Sequence, residues 1–293
     1  MLCRSTRRAD CTSDTGDTGD GSDSGDSGVP RTAYALRMRL AAIQHDIAWK
    51  DRDANFARLA PQIAAAAAGG ARLVLLTETF STGFVMDDPD LGEPEGGPSS
   101  TYLAEQASRH GIWVCGTCPE IPAGSDPADR RPANTFVLAG PNGEAHRYRK
   151  IHPFTYGGED RFFRPGTELV QVTIDGVRIA PFVCYDLRFA DEFWQLATTT
   201  DLYLVPANWP AVRRAHWMAL LQARAIENQA YVVGCNRVGE GGGLSYVGDS
   251  RIIDPLGELL ATGSQGETIL FADIEPSTVA AVRDRFRFLP DRR

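Results

Sequence analysis

Several absences narrow the reading first. No apolar run approaches the length needed to cross a bilayer, which argues against a membrane-spanning chain. There is no surplus of positive charge. Lys and Arg number 30 against 38 Asp and Glu, a net charge of −8, so neither nucleic acid nor an anionic membrane is expected as the main partner. No Gly-x-Gly-x-x-Gly frame occurs, and the run Gly239-Glu-Gly-Gly-Gly243 has no phosphate-binding lysine after it, so it reads as a flexible turn. Cys115-Gly-Thr-Cys118 has C-x-x-C spacing, but it lacks a second ligand pair and the helix start of a thioredoxin-type site. It is set aside. The six cysteines are irregularly spaced and do not form a disulfide framework. Early arginines are followed by no apolar stretch, which argues against a secretory leader, and the acidic repeats argue against a transit peptide. A soluble cytoplasmic protein is the expectation.

What is present divides in two. Residues 1–37 include Thr12-Ser-Asp-Thr-Gly-Asp-Thr-Gly-Asp-Gly-Ser-Asp-Ser-Gly-Asp-Ser-Gly28, a low-complexity tract with almost nothing to bury. It cannot offset its ordering entropy and is expected to be disordered, with the folded protein and the natural start expected near the second methionine, Met38. From 38 to 293 strand-like and helix-like stretches alternate without another composition boundary, which predicts one α/β domain. The chain opens β-α-β: a strand at Arg39–Gln44, a helix over Ala54–Ala68 ending at Gly69-Gly70, and a buried strand at Leu73–Leu76. The long Gly/Pro/Asp-rich stretch Ser81–Pro98 is predicted to be a loop. Asn142-Gly143 signals a hairpin leading through Arg147-Tyr148-Arg149, and the basic end, Arg283–Arg293, reads as a solvated or subunit-contact tail.

Three predicted strands end on reactive side chains. Glu78 follows Leu73–Leu76, Lys150 follows Arg147–Arg149, and Cys184 follows Ile179–Val183. The carboxyl ends of strands are where open α/β folds place their chemistry. A carboxylate, an ammonium and a thiol are what acyl transfer to sulfur asks for: a base for the thiol proton, a nucleophile, and a positive donor for the oxyanion. Spacing alone leaves the bland alternatives open: a core cysteine, a solvated loop acid and a snorkelling surface lysine.

Four separated motifs carry more weight. Leu-Thr-Glu78-Thr-Phe-Ser-Thr-Gly-Phe84, Tyr-Arg-Lys150-Ile-His-Pro-Phe154, Gly-Gly-Glu159-Asp-Arg161 and Val-Cys184-Tyr-Asp-Leu-Arg-Phe189 occur in this order. They resemble the carbon–nitrogen hydrolase (nitrilase-like amidase) superfamily, from about Arg39 to Phe288. The resemblance implies a four-layer α-β-β-α sandwich whose subunits pair through a helical face into a homodimer or higher homo-oligomer. It implies a catalytic set of Glu78, Lys150 and Cys184, with Glu159 as a second glutamate, and no metal or cofactor. By the same resemblance Glu78 serves as base, Cys184 forms a thioester, and Lys150 and the backbone N–H of Tyr185 hold the oxyanion.

Nitrilases by resemblance carry Cys-Trp-Glu at the nucleophile, whereas this chain has Cys184-Tyr-Asp, which favours an amide over a nitrile. Ala207-Asn-Trp-Pro210, Ala223–Tyr231 and Gly234–Gly239 look most like bacterial ω-amidases, implying a small-molecule substrate of the 2-oxoglutaramate type. Such a substrate carries a carboxylate far from its amide, so the pocket is expected to hold a cation. Arg188 is the candidate, with a structural ion pair as its alternative. Phe84, Phe154, Tyr156 and Trp209 are the expected walls, against the alternative that these aromatics are plain core. A deaminated-glutathione amidase, an N-carbamoyl amide hydrolase and a non-catalytic binding protein on the same fold are the competing readings.

Overall fold

The computed structural model describes residues 37–292; the low-complexity tract and its expected disorder lie outside the described residues. The chain enters with β1 (Met38–Gln44), α1 (Arg52–Ala68), β2 (Leu73–Leu75), β3 (Glu93–Pro94), α2 (Pro98–His110), β4 (Trp113–Ile121), β5 (Ala133–Ala139) and β6 (Ala145–Arg149). A four-residue helical turn, α3 (Glu159–Phe162), precedes β7 (Val172–Ile174) and β8 (Val177–Pro181). Then come α4 (Ala190–Leu196), β9 (Leu202–Ala207), α5 (Arg214–Asn228) and β10 (Tyr231–Asn236). The hairpin β11 (Val238–Gly241) and β12 (Leu244–Val247), the hairpin β13 (Arg251–Ile253) and β14 (Leu259–Thr262), β15 (Thr268–Ile274) and α6 (Pro276–Arg285) complete the chain.

Strands form a seven-stranded sheet in the order β15-β1-β2-β4-β5-β6, with β3 alongside β4, and a six-stranded sheet in the order β14-β13-β10-β9-β8-β7. The strand period of two explains how the layers stack. In β1, Leu40 and Ala42 join the core shared with Ile179, Leu204 and Val232 of the second sheet. The intervening Ala41 and Ile43 face Leu59 and Ile63 of α1 and Leu103 of α2. On the far side, Trp217, Leu221 and Ala225 bring α5 against the second sheet. Helix, sheet, sheet, helix is the four-layer order that the motifs implied.

Local chemistry sets the element ends. The Asp51 carboxylate caps α1 by accepting from the Ala54 N–H at 3.0 Å. Pro98 occupies the first turn of α2, where its missing N–H costs nothing. Two differences from the sequence reading matter for function. The glycine run 239–243 is no loose turn: it closes the ordered hairpin β11–β12, paired from Val238↔Val247 to Gly241↔Leu244. The basic end is not simply solvated either. Arg283 donates to the carbonyls of Thr200 and Gln229, at 2.5 and 3.2 Å, and Arg292 donates to the Glu227 carbonyl and Asn228 Oδ1, fastening the tail to the C-terminus of α5.

Candidate active site

The two sheets bring strand ends together on one rim. β2 runs parallel to β1 and β4, and β8, β9 and β10 are parallel to one another, so their carboxyl ends are shared edges. β6 returns antiparallel to β5, which itself opposes β4, so Lys150 leaves on the same edge as Glu78.

Glu78 is completely buried and its two oxygens are fully engaged. Oε1 accepts from Lys150 Nζ at 3.1 Å and from Asn134 Nδ2 at 2.8 Å, while Oε2 accepts from the backbone N–H of Asn208 at 2.7 Å. Lys150 is equally inaccessible. Its Nζ donates to both oxygens of Glu159, at 3.1 and 2.9 Å, and lies 5.2 Å from the centroid of the Phe84 ring. Burial works to lower the Lys150 pKa, but the charges of Glu159 and Glu78 outweigh it and hold the ammonium protonated. Glu159 is pushed up by burial and pulled back by Lys150. Its carboxylate also accepts the backbone N–H of Phe154, which folds the 150–159 loop around the ammonium. A buried ammonium between two buried carboxylates is tolerable only with this many hydrogen bonds.

Cys184 follows β8 by three residues and begins a 3₁₀ turn, Cys184–Arg188. Its φ is +45°, in the left-handed region that costs a non-glycine residue on the order of 1 kcal/mol or more. Asp186 holds the turn in place. Its carboxylate accepts from the Val183 N–H at 3.0 Å, the His152 N–H at 2.9 Å and the Tyr148 hydroxyl at 2.8 Å, tying the nucleophile strand to the lysine loop. Burial raises the Asp186 pKa to about 6 against the pull of Lys150 and these donors. The Cys184 thiol is pushed well up by burial and by the facing Glu78 carboxylate, with Lys150 opposing. At neutral pH the sulfur therefore keeps its proton, beside an acceptor able to take it. Chemically, this is an apparatus for acyl transfer to sulfur.

Above the cluster lies a pocket of about 60 Å³, reached by Lys150, Cys184 and Tyr185 and walled by Phe84, Phe154 and Trp209. Arg188 also lines it. Its guanidinium lies 4.8 Å from the Trp209 ring centroid, its Nη2 meets His216 Nδ1 at 3.3 Å, and no described carboxylate pairs with it. The ion-pair alternative for Arg188 is therefore not what the structure contains. Tyr156 is a correction: its side chain is 87 % exposed, and it touches the site only through Phe154, with ring centroids 5.8 Å apart. The reason is local, since Thr155–Gly157 forms a tight turn that directs the ring outward.

Sequence reasoning missed five residues. Asn134, at the start of β5, bridges Glu78 and Glu159 through Nδ2, at 2.8 and 3.3 Å; an amide inside an otherwise apolar strand was the available signal. Asn208 binds Glu78 from β9's exit and lines the pocket. Asp186 sits inside the quoted motif. Arg213 and Tyr246 also line the pocket, Tyr246 from the hairpin that reads in sequence as a loose turn. Cys115 and Cys118 are fully buried free thiols pushed well up by burial, and they are not part of this pocket. A larger cleft of about 620 Å³ lies beyond Met86, without Cys184 or Lys150 in its walls.

The chain belongs to the carbon–nitrogen hydrolase family, whose model matches residues 39–284. It is 35 % identical to the omega-amidase YafV of Escherichia coli K12 over 252 residues, covering 85 % of this chain and 94 % of that protein. It is 33 % identical to the 2-oxoglutaramate amidase of Bacillus subtilis over 226 residues, covering 75 % and 85 % of the two chains. Among solved structures it resembles XC1258 of Xanthomonas campestris, a CN-hydrolase superfamily protein with an arsenic adduct in the active site. The TM-score is 0.81 at 33 % identity, covering 88 % of this chain and 97 % of that one.

Proposed function

We propose that the protein hydrolyses the terminal amide of a small carboxylate-bearing substrate of the 2-oxoglutaramate type through a thioester on Cys184. The observation that carries the reading is the buried Glu78–Lys150–Glu159 network beneath a cysteine of positive φ at the floor of a small pocket. As Sγ bonds to the amide carbon, Glu78 takes the thiol proton, so sulfur attacks without a free thiolate having to exist beforehand. The carbonyl oxygen becomes an oxyanion facing Lys150 Nζ and the N–H of Tyr185, an amide of a turn's first residues with no partner within the turn. Collapse breaks the carbon–nitrogen bond, and the nitrogen leaves as ammonia with the proton from Glu78. Water then adds to the thioester, giving one proton to Glu78 and through it to the departing sulfur, and the acid product is released. Glu159 and Asn134 keep Lys150 and Glu78 in register throughout.

The relatives named for an omega-amidase and a 2-oxoglutaramate amidase support this substrate class. Arg188 supplies the cation for the distant carboxylate. A cytoplasmic homodimer belongs to the same reading. Trp194 and Ile226 leave apolar surface exposed on α4 and α5 for such a pairing, and light scattering checks it. Among the described residues no helix is long and apolar enough to cross a membrane.

Ammonia release is to be measured from 2-oxoglutaramate, carbamoyl-β-alanine, a short aliphatic amide and deaminated glutathione. The first should be turned over fastest, and Cys184→Ala should fold yet release none. Preference for one of the others would redirect the substrate assignment. Release by the folded Cys184→Ala protein would remove the cysteine from the mechanism.

A further inference from the structure

Among the described residues most arginines pair with an acid. Arg178 pairs with Asp201, Arg224 with Glu227, Arg237 with Asp46, and Arg214, next in sequence to Arg213, with Asp249. Pairing is the default in a chain where acids outnumber bases 38 to 30. The pocket holds two exceptions. Neither Arg188 nor Arg213 forms an ion pair with any described residue, yet both line the space above Cys184. Each guanidinium sits over aromatic rings instead: Arg188 lies 4.8 Å from the Trp209 centroid and 5.7 Å from that of Tyr185, and Arg213 lies 5.3 Å from that of Phe154. Among the described residues Arg188 spends one donor on His216 Nδ1, at 3.3 Å, and Arg213 spends no side-chain donor, so both guanidinium groups keep N–H groups for a carboxylate.

The backbone fixes their placement. Arg188 closes the 3₁₀ turn that begins at Cys184, so its position is coupled to the nucleophile. Arg213 ends the short turn after β9, and its carbonyl accepts the Trp209 indole N–H at 2.9 Å, so the ring that supports Arg188 is anchored by the residue carrying the second guanidinium. Two unpaired cations over an aromatic floor, with the reacting sulfur below, make a receptor for a substrate bearing an anion at one end and an amide at the other.

We infer that Arg213 is a specificity-determining residue that clamps the substrate's distal carboxylate together with Arg188, selecting half-amides of short dicarboxylic acids over neutral amides of equal length. This rests on the amidase reading above and deepens it, because that reading needs one cation and the geometry supplies two.

The test compares glutaramate with pentanamide, the neutral amide of the same carbon count, for the wild type, Arg213→Gln and Arg213→Lys. Thermal unfolding of each variant is followed in parallel. The wild type should prefer glutaramate. Arg213→Gln should lose on the order of a hundredfold more kcat/KM on glutaramate than on pentanamide, chiefly through KM, since truncation leaves a desolvated carboxylate half-paired. Arg213→Lys should recover part of the preference but not the bidentate geometry. Equal losses on both amides, or an unchanged preference, would overturn the clamp. Calorimetric binding of glutaramate is measured in a Cys184→Ala background with and without Arg213→Gln, and it decides the clamp independently of turnover. If the wild type releases ammonia from neither amide, the amidase reading fails, while retained or lost binding still answers for Arg213.

Discussion

At the scale of single residues, Asp186 shows how a motif position acts without touching the reacting atoms. One carboxylate receives donors from the strand before the cysteine, from the loop after the lysine and from Tyr148. Changing Asp186 to Asn replaces an acceptor with an N–H₂ group that meets donors it cannot bond. The nucleophile and Lys150 then lose their shared tether, and kcat should fall roughly 10–100-fold with little change in KM. Equal effects on both parameters would argue for a different role. The group also carries a pH signature. Its native pKa, about 6, lies above the ordinary value of 3.8, so the folded state holds the proton more tightly than the unfolded state. Stability from this group is full below 3.8 and is lost as pH rises through 6. Between pH 4 and pH 8 the wild type should therefore lose on the order of 2–3 kcal/mol relative to Asp186→Asn, read from urea denaturation at the two pH values.

At the scale of elements, the hairpin β11–β12 forms part of the pocket wall. Its strand β12 carries Leu244 and Tyr246 into the pocket wall. Arg237, fully buried, lies beneath the Tyr246 ring at 4.7 Å from its centroid and donates to Asp46 and to the Ile47 and Glu240 carbonyls. Trp49 fills the space beside it so closely that a Cβ on Gly241 would come within 2.6 Å of Arg237 Nη1 and 2.7 Å of the indole. Gly241→Ala should thus displace the hairpin rather than unfold the protein. The expected result is a several-fold rise in KM and a stability loss of roughly 1–3 kcal/mol, measured by steady-state kinetics and thermal unfolding. An unchanged KM would mean that the hairpin does not shape the pocket.

Glu78, Lys150 and Cys184 were legible because each follows a strand-like stretch and stands inside a motif of its own, and a strand exit has a direction in three dimensions. Glu159 was legible only through its motif, since a glutamate after two glycines is otherwise a turn residue. Asn134 and Asn208 were not singled out: their importance lies in reaching across from other strands, which no local periodicity reports. The hairpin was concealed by glycines that permit close approach to Trp49 while reading as slack. Tyr156 misled because an aromatic residue in a turn does not announce which way its ring points.

At the scale of the whole molecule, the two sheets share a core, while the site lies where their strand ends meet, so anything that lets the layers slide would disturb the chemistry. The C-terminal segment helps to prevent this. Arg283 of α6 donates to four backbone carbonyls, those of Thr198, Thr200, Asn228 and Gln229, at the ends of the segments flanking β9 and β10. Arg283→Ala should lower stability by roughly 2–3 kcal/mol, because charged donors to otherwise unsatisfied carbonyls are among the stronger hydrogen bonds. Activity at low temperature should persist, since the residue is not part of the pocket.

The central claim is that Cys184 becomes acylated during turnover with Glu78 as its base. Mass spectrometry of the Cys184 peptide after rapid acid quenching, with 2-oxoglutaramate present, tests it most directly. The account predicts an added acyl mass on that peptide in the wild type and none in Glu78→Gln. Continuing ammonia release by the wild type with Cys184 unmodified at every quench time would contradict it.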